Sequence, residues 1–354
     1  MKHAASSEPG RPALLVVQTS FLGDVVLTTP LLSALRRRVA PRRLAVMVRP
    51  EAVALVSGHP DVDQVLVDDK RGRDRGLGGL VRTARRLRGE RFDLAVSPHR
   101  SLRTALVLAA ARIPRRIGFR ESRGAVLYHE RVPRDRRRHD VERNLALLAP
   151  FGQGSGDVPP LHVPVSPPAA AEAAALLPPG GGPLVGIAPG SVWATKRWSP
   201  EGFAAVVAAL AADGARCVIL GTADEGPLAE HIRTLAGGGA TVLAGRTDPA
   251  TLVAVIDRLS LLVANDSAPM HVACARGVPV VAVFCATTPS LGYGPWGPRA
   301  TVVEADLGCR PCSRHGERRC PRGTEDCMRL VPGATVLAAA RAALAGGARA
   351  ARAR

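Results

Sequence analysis

Short apolar segments alternate with longer segments of helical periodicity along most of the chain. The longer segments place apolar residues three or four positions apart, as an amphipathic helix does. Strands that alternate with helices in this way are typical of a parallel sheet with crossover connections. The predicted strands are residues 13–18, 44–48, 64–67, 94–97, 115–119, 184–188, 217–220, 241–243, 261–264 and 280–284. The predicted helices are residues 25–39, 77–87, 101–111, 169–177, 200–212, 225–235, 249–259, 268–276 and 335–344.

Glycine and proline become frequent between residues 150 and 183, around one short Ala-rich helix. Such a stretch is the strongest linker signal in the chain. We therefore predict an α/β protein of two doubly wound lobes with a cleft between them. The predicted parts are an N-terminal lobe (1–150), a linker (151–183), a C-terminal lobe (184–332) and a C-terminal helix with a tail (333–354).

The overall composition agrees with two soluble domains. The chain has 354 residues, 46% of them hydrophobic, and each half is long enough to bury a core of its own. No apolar run approaches the roughly 20 residues that span a bilayer. The first seven residues lack the apolar region of a secretory signal. We expect a cytosolic protein without transmembrane helices.

Positive charge is concentrated in the first half of the sequence. Residues 1–150 hold 30 Lys and Arg against 15 Asp and Glu, whereas residues 151–354 hold 18 against 15. Only Lys2, Lys70 and Lys196 are lysines, and a GC-rich genome would explain that preference but not the imbalance between the halves. A basic surface suits nucleic acid, an anionic membrane or a phosphorylated acceptor. No aromatic residues interleave the basic stretches, so we expect no nucleic-acid partner.

One polar turn lies between two apolar strands, at residues 265–271 (NDSAPMH). It would lie at the carboxyl end of a parallel strand, where open α/β sheets bind ligands. Ser267 is a good helix N-cap, and Pro269 is tolerated in the first turn. The free N–H groups of that turn favour an anion such as a diphosphate. The alternative is that Asp266 and Ser267 only cap the helix.

A second polar loop opens the C-terminal lobe at residues 188–198 (APGSVWATKRW). Gly190 allows close approach of a ligand, Ser191 and Thr195 offer hydroxyls, and Lys196 offers a point charge. This combination is typical of phosphate binding, although a Walker A loop is absent. The alternative is an ordinary solvated loop with Trp198 packed on the lobe.

The first loop of the chain, residues 18–24 (QTSFLGD), places Asp24 between a strand and a helix. Asp24 is a candidate general base. As an alternative it only complements the helix dipole, which would favour the ionised carboxylate and weaken it as a base. The dinucleotide fingerprint G-x-G-x-x-G is absent from the loop, which disfavours an NAD enzyme.

Four motifs together resemble one enzyme family. Residues 19–24, 189–198, 265–271 and 293–297 (YGPWG) occur in the order seen in ADP-heptose:lipopolysaccharide heptosyltransferases of the ninth glycosyltransferase family. The resemblance covers roughly residues 13–345. It implies a GT-B architecture, in which two Rossmann-like lobes face a central cleft. The N-terminal lobe would bind the lipid acceptor and the C-terminal lobe the ADP-sugar.

The resemblance also implies roles for individual residues. Asp24 matches the catalytic base, Lys196 the lysine on the donor diphosphate, and Asp266 the acid near the heptose. Glu225 matches an acid near the donor ribose, with Asp224 as an alternative. The remaining candidates for donor contacts are Ser191, Thr195 and Ser267. Candidates for the acid groups of the acceptor are Arg100, Arg103, Arg120 and Arg123, each of which could instead belong to a solvated basic face.

The implied partners are an ADP-heptose donor and a Kdo-lipid A or heptosyl-Kdo-lipid A acceptor. The protein would be cytoplasmic and contact the anionic inner membrane peripherally, at its cytoplasmic face. Catalysis would need no metal or other cofactor. One alternative is a relative that uses another nucleotide sugar or acceptor.

Four of the seven cysteines cluster near the C-terminus, at Cys309, Cys312, Cys320 and Cys327. In a cytosolic chain such a cluster suggests structural zinc before disulfides, although its spacing fits a zinc knuckle only in part. Free thiols or an adventitious pair are the alternative. If zinc binds, residues 300–330 together with the Arg-rich half offer a second alternative function, a basic nucleic-acid-binding protein.

Overall fold

The computed structural model describes residues 10–152 and 157–352, with side chains described up to residue 346. It forms two compact units, Met1–Pro164 and Val165–Arg354. The division falls inside the segment predicted as a linker. The first seven residues, the linker glycines 154 and 156, and the end of the tail lie outside the described residues.

The first unit contains one six-stranded parallel sheet. Its strands are β1 (Ala13–Val17), β2 (Arg43–Val48), β3 (Gln64–Val67), β4 (Leu94–Ser97), β5 (Arg115–Phe119) and β6 (Glu130–Val132). They lie in the order β3-β2-β1-β4-β5-β6. Its helices are α1 (Leu22–Val26), α2 (Thr29–Val39), α3 (Gly76–Gly89), α4 (Leu102–Ala110) and α5 (Asp140–Leu145).

The second unit repeats this topology. Its strands are β7 (Leu184–Ala188), β8 (Arg216–Ile219), β9 (Ala240–Val242), β10 (Leu261–Asn265), β11 (Val280–Phe284) and β12 (Ala300–Glu304). Its helices are α6 (Pro167–Leu176), α7 (Pro200–Ala212), α8 (Gly226–Leu235), α9 (Pro249–Asp257), α10 (Ala268–Ala275), α11 (Asp326–Arg329) and α12 (Gly333–Arg352). The strand order is β12-β11-β10-β7-β8-β9.

The winding direction reverses once in each sheet. Counted from its own first strand, each unit has the order 3-2-1-4-5-6, so the reversal lies between β1 and β4 in one unit and between β7 and β10 in the other. The central strands are buried along their whole length, as β1 and β10 show. They have apolar residues on both faces because helices cover both sides of a doubly wound sheet. Ligands of such sheets bind at the carboxyl ends of the strands beside the reversal.

The predicted fold class, α/β with two doubly wound sheets, is confirmed. The predicted helix at residues 25–39 is instead two helices, because Pro30 has no N–H to donate to the carbonyl of Val26. The hydroxyl of Thr29 donates to that carbonyl at 2.8 Å. Strands β6 and β12 were not predicted; both lie at sheet edges, where partly exposed residues interrupt the apolar pattern.

Two helices attach the ends of the second unit to its core. Helix α6, within the predicted linker segment, packs against α9, where Glu172 Oε2 accepts a hydrogen bond from Thr251 Oγ1 at 2.7 Å. Helix α12 packs on α7 and buries Val336 and Ala340 in the core. None of the described helices combines the length and apolarity needed to cross a membrane.

Candidate active site

In the second unit, three polar segments follow three neighbouring strands. Asp266 comes directly after β10, the turn with Gly190 follows β7, and Glu225 follows β8. Because the strands are parallel, these segments meet at one edge of the sheet. We call this edge, residues 189–198, 221–225, 265–271 and 285–287, the donor edge. It lies at the reversal of strand order, the favoured ligand position of the fold.

Asn265 holds the donor edge together. Its side chain is fully buried at the end of β10. The amide nitrogen donates to the carbonyl of Pro189 at 2.6 Å, and the amide oxygen accepts from the backbone N–H of Trp198 at 3.0 Å. One side chain therefore fixes both ends of the loop that carries Lys196. Asn265 belongs to the polar turn predicted from the sequence, but the sequence pattern indicates no role for it.

Lys196 and Asp266 form a direct ion pair. The ammonium of Lys196 lies 2.6 Å from Asp266 Oδ2, and the two side chains are only 14% and 7% exposed. The hydroxyl of Thr287, after β11, donates to the same carboxylate oxygen at 2.7 Å. An ammonium has three N–H donors, so this pair leaves Lys196 able to bind a further anion. The sequence predicted that both residues lie at this edge, but it predicted neither their direct contact nor the hydrogen bond from Thr287.

Thr195 and Ser191 are both buried in the same loop. The Thr195 hydroxyl donates to the carbonyl of Glu317 at 3.1 Å and accepts from the N–H of Glu317 at 2.8 Å. The Thr195 hydroxyl is thus hydrogen-bonded to the backbone of Glu317, which argues against the predicted role of Thr195 in binding the donor. The carbonyl of Ser191 accepts from the guanidinium of Arg197 at 2.7 and 2.9 Å, which closes the loop.

Ser267 occupies the N-cap position of α10 but does not cap with its side chain. Its hydroxyl instead donates to the carbonyl of Asn265 at 3.3 Å. The second position of the helix is Pro269, which lacks one of the two N–H groups that a capping oxygen normally accepts from. The capping role predicted for the Ser267 side chain is therefore wrong.

Glu225, rather than Asp224, faces the turn after β7. Asp224 is exposed, whereas a Cβ at Gly190 would lie 2.0 Å from Glu225 Oε1. A side chain at position 190 would therefore displace this carboxylate. Glu225 Oε2 also accepts from the N–H of Thr222 at 2.9 Å, so its position is fixed within its own turn.

In the first unit, Asp24 lies in the first turn of α1, beyond the end of β1. Its Oδ2 accepts from the Ser20 hydroxyl at 2.5 Å and from the N–H of Phe21 at 3.3 Å. We call the carboxyl ends of β1 to β5 in this unit the acceptor edge. A second acid, Asp140 of α5, is buried nearby and pairs with Arg134.

Asp24 is a stronger base than an ordinary aspartate. Burial, and then the charge of Asp140, raise its pKa to about 6 against the opposing effects of Ser20, Phe21 and Arg134. Of the two alternatives for Asp24, the helix dipole would favour the ionised carboxylate. Its effect is outweighed, because α1 has only five residues and desolvation dominates.

Hydrogen bonds connect α1 to α5. The Thr28 hydroxyl donates to the carbonyl of Asp24 at 2.8 Å. The Asn144 amide donates to the carbonyl of Leu27 at 3.2 Å and to Asp140 Oδ2 at 3.4 Å. Neither α5 nor its acid was predicted, because the surrounding Arg-rich stretch carries no apolar periodicity.

Lys70 and His99, both half-buried, bring a cationic side chain and a neutral imidazole to the acceptor edge. Lys70 Nζ donates to the carbonyl of Thr19 at 2.6 Å, and His99 Nδ1 lies 3.0 Å from the Thr19 hydroxyl. Burial, and then the charge of Arg49, lower the pKa of Lys70 to about 8. Burial, followed by the charge of Lys70, lowers the pKa of His99 to about 3. Sequence reasoning missed both, although Lys70 is one of three lysines in the chain.

The four arginines proposed for the acceptor have different surroundings. Arg120 and Arg123 are exposed, and Arg100 is half-buried. Arg103 instead pairs with buried Asp68 at 3.0 Å and donates to the carbonyl of Asp74 at 2.8 Å. Its guanidinium therefore supports the fold, which argues against the role predicted for it.

The structure does not support the predicted zinc site. Across residues 10–152 and 157–352, no group of three or more His, Cys, Asp or Glu side chains is arranged to hold a metal ion. Cys327 is buried in the hydrophobic core, and Cys312 Sγ donates to the carbonyl of Cys309 at 3.3 Å. All seven cysteines, which lie in the described residues, are free thiols.

Comparison with known proteins agrees with this geometry. Residues 80–321 match the family described as "Glycosyltransferase family 9 (heptosyltransferase)". The chain is 28% identical over 309 residues to lipopolysaccharide heptosyltransferase 2 of Salmonella typhimurium, covering 83% of this chain and 88% of that protein. It is 27% identical over 290 residues to lipopolysaccharide heptosyltransferase 3 of Escherichia coli, covering 78% and 84%.

A solved structure, E. coli ADP-heptose lps heptosyltransferase II, superposes with a TM-score of 0.80 at 23% identity, covering 94% of this chain and 99% of that one. The two doubly wound units thus have the GT-B fold. The chain belongs to glycosyltransferase family 9, the heptosyltransferase family.

Proposed function

We propose that this enzyme transfers a heptose, with inversion, from ADP-L-glycero-D-manno-heptose to the lipopolysaccharide inner core. Its acceptor is heptosyl-Kdo2-lipid A, so it adds the second heptose. The buried pair of Lys196 and Asp266 at the donor edge is the observation that carries the proposal. The names of relatives that share more than three quarters of the chain support the substrate class.

The donor edge has the groups that a nucleoside diphosphate sugar requires. Lys196 binds the diphosphate, assisted by Ser191 and the N-terminus of α10. Asp266 holds the ammonium in place and lies near the heptose. Glu225 accepts hydrogen bonds from the donor ribose. Lys196, Ser191 and the N-terminus of α10 stabilise the negative charge that grows on the departing ADP.

Asp24 of the first unit acts as the general base. In a single displacement it takes the proton of the acceptor hydroxyl while that oxygen forms a bond to the anomeric carbon. The bond from this carbon to the diphosphate breaks, and its electrons leave with ADP. A pKa of about 6 leaves Asp24 ionised at neutral pH and more basic than an ordinary aspartate.

The basic surface of the first unit provides the acceptor contacts. Kdo carboxylates and lipid A phosphates are anionic, and the exposed guanidiniums of Arg120 and Arg123 suit them. Arg100 lies at the end of the same edge. The same charges draw the enzyme to the cytoplasmic face of the inner membrane as a peripheral protein.

The decisive test is a transfer assay with ADP-heptose and two defined acceptors, Kdo2-lipid A and heptosyl-Kdo2-lipid A. We expect product only, or much faster, with the heptosyl acceptor, and release of one ADP per heptose transferred. Preference for the heptose-free acceptor would assign the enzyme to the first transfer. Turnover with another nucleotide sugar but not with ADP-heptose would overturn the proposed donor.

A further inference from the structure

The region of clustered cysteines contacts the donor edge. We call residues 307–323 the cysteine-rich segment; it contains Cys309, Cys312 and Cys320. It follows β12 and ends before α11. Nothing in the proposed transfer reaction uses these thiols. The hydrogen bonds of the segment, however, lead to the loop that carries Lys196.

The first contact is made by Glu317. Its backbone carbonyl accepts from both the N–H and the hydroxyl of Thr195, each at 3.1 Å. Its N–H donates to the same hydroxyl at 2.8 Å. Three hydrogen bonds thus fix the residue directly before Lys196.

The second contact is made by Gly316. It has a φ of +85°, and a Cβ there would lie 2.9 Å from the Cβ of Trp193 and 3.0 Å from Cγ of Lys196. The backbone of Gly316 therefore packs against the aliphatic stem of the lysine. Any other residue at this position would push on that stem.

The third contact is made by Arg310. Its guanidinium donates to the carbonyl of Phe284, the last residue of β11, at 2.9 Å and to that of Thr287, just beyond the strand, at 2.7 Å. Thr287 in turn donates to Asp266, the partner of Lys196. Cys312 N–H also donates to the carbonyl of Ala286 at 3.0 Å. The segment thereby holds both members of the ion pair.

We propose that the cysteine-rich segment positions Lys196 for the diphosphate of the donor, with Gly316 and Arg310 as positioning residues. The inference rests on the proposed function, since it assigns the same ammonium to the same phosphate oxygens. The positioning role depends on the packing and hydrogen bonds of the segment, and it requires neither a disulfide nor a bound metal. Displacing the stem of Lys196 should weaken binding of ADP itself.

The test is G316A, with G323A as its matched control. Gly323 also has a positive φ, of +73°, but a Cβ there would meet nothing within 4 Å. Both variants place a Cβ at a positive φ, and only in G316A does that Cβ press on Trp193 and Lys196. We expect the Kd for ADP, measured by calorimetry, to rise about tenfold in G316A and to change less than about twofold in G323A.

A double-mutant cycle shows whether Gly316 acts through Lys196. In the K196A background, G316A should change the Kd for ADP little, because the displaced group is already absent. G316N and G323N repeat the comparison with a residue that tolerates a left-handed backbone, in case the alanine variants do not fold.

Two results would overturn the positioning role: equal Kd values in the variants at positions 316 and 323, or an undiminished effect of G316A in the K196A background. Absence of ADP binding in the unaltered protein would instead overturn the proposed donor site. The two failures are therefore distinguishable.

Discussion

The two sheets have the same strand order, but their functional edges differ in how charge is balanced. At the donor edge the central cation, Lys196, has a buried carboxylate partner, and the surrounding polar groups are tied to one another. At the acceptor edge Lys70 donates to the two oxygens of Thr19, and Asp24 lies near another acid. One topology thus supports a paired, buried lysine in one unit and an aspartate of raised pKa in the other.

The largest effect should come from removing the base. D24N keeps the size of the side chain but cannot accept the proton, so transfer should fall by roughly 10³-fold or more. Because Asp24 belongs to the other unit from the donor edge, the Kd for ADP should stay nearly unchanged. Initial rates and calorimetry on the same preparation check this, and retained turnover would show that Asp24 is not the base.

K196A should show the opposite pattern. Loss of the ammonium should lower kcat/KM by about 10²-fold to 10³-fold and weaken ADP binding at the same time. K196R serves as the control, since it keeps the charge but not the compact geometry beside Asp266, and should recover ADP binding only in part. Unchanged ADP affinity in K196A would place the diphosphate elsewhere.

The acceptor edge predicts a particular pH dependence. With a pKa of about 6, the ionised fraction of Asp24 falls as pH decreases, so at pH 5 the rate should be about a tenth of its plateau. D140N removes one of the two causes that raise this pKa. The acid limb should then move to lower pH, and the plateau should fall because the base is weaker.

In that variant Arg134 loses its ion pair with Asp140, and both Arg134 and Arg49 still face Asp24 as positive charges. These positive charges lower the pKa of Asp24, as does the loss of the Asp140 carboxylate. A profile of kcat against pH, recorded with melting temperatures of both proteins, measures the change. An acid limb that stays in place would mean that Asp140 does not influence the base.

The smallest effect is expected from single surface arginines. R120A or R123A should weaken binding to anionic lipid vesicles only a few-fold, in line with about 1 kcal/mol per charge near a membrane. R246A, an exposed arginine of the second unit, is the control and should bind as the unaltered protein does. The difference should shrink as salt rises, since exposed charges are screened. A loss of vesicle binding that is equally large at low and high salt would contradict an electrostatic role of these arginines.

Local sequence patterns were sufficient to predict much of the fold and the location of the polar loops. The buried strands β1, β7, β10 and β11 are continuous apolar runs, which hydrophobic pattern detects directly. The half-exposed edge strand β12 has no such signal. The helix break before Thr29 arises because Pro30 lacks the N–H that would bond to the carbonyl of Val26. The helical periodicity of the segment gives no sign of this missing donor.

The chemistry of the site was harder to predict, because it arises from residues far apart in the sequence. The motifs place Lys196 and Asp266 at one sheet edge, but only the folded chain brings their atoms to 2.6 Å. The pKa of Asp24 depends in part on Asp140, which lies in helix α5. No pattern in the sequence predicted that helix. Glu317 has no local signal, since it contributes through its backbone alone.

The side chain of Asn265 has a consequence for how the protein opens. Because it joins the last residue of a core strand to both ends of the 189–198 loop, that loop cannot detach locally while the bonds persist. The amide of Trp198 should therefore exchange its hydrogen with solvent only in the rare openings that also expose strand β10, as slow-exchanging core amides do. Although the 189–198 loop lies at the edge of the sheet, this amide would then exchange as slowly as those of the central strand β10.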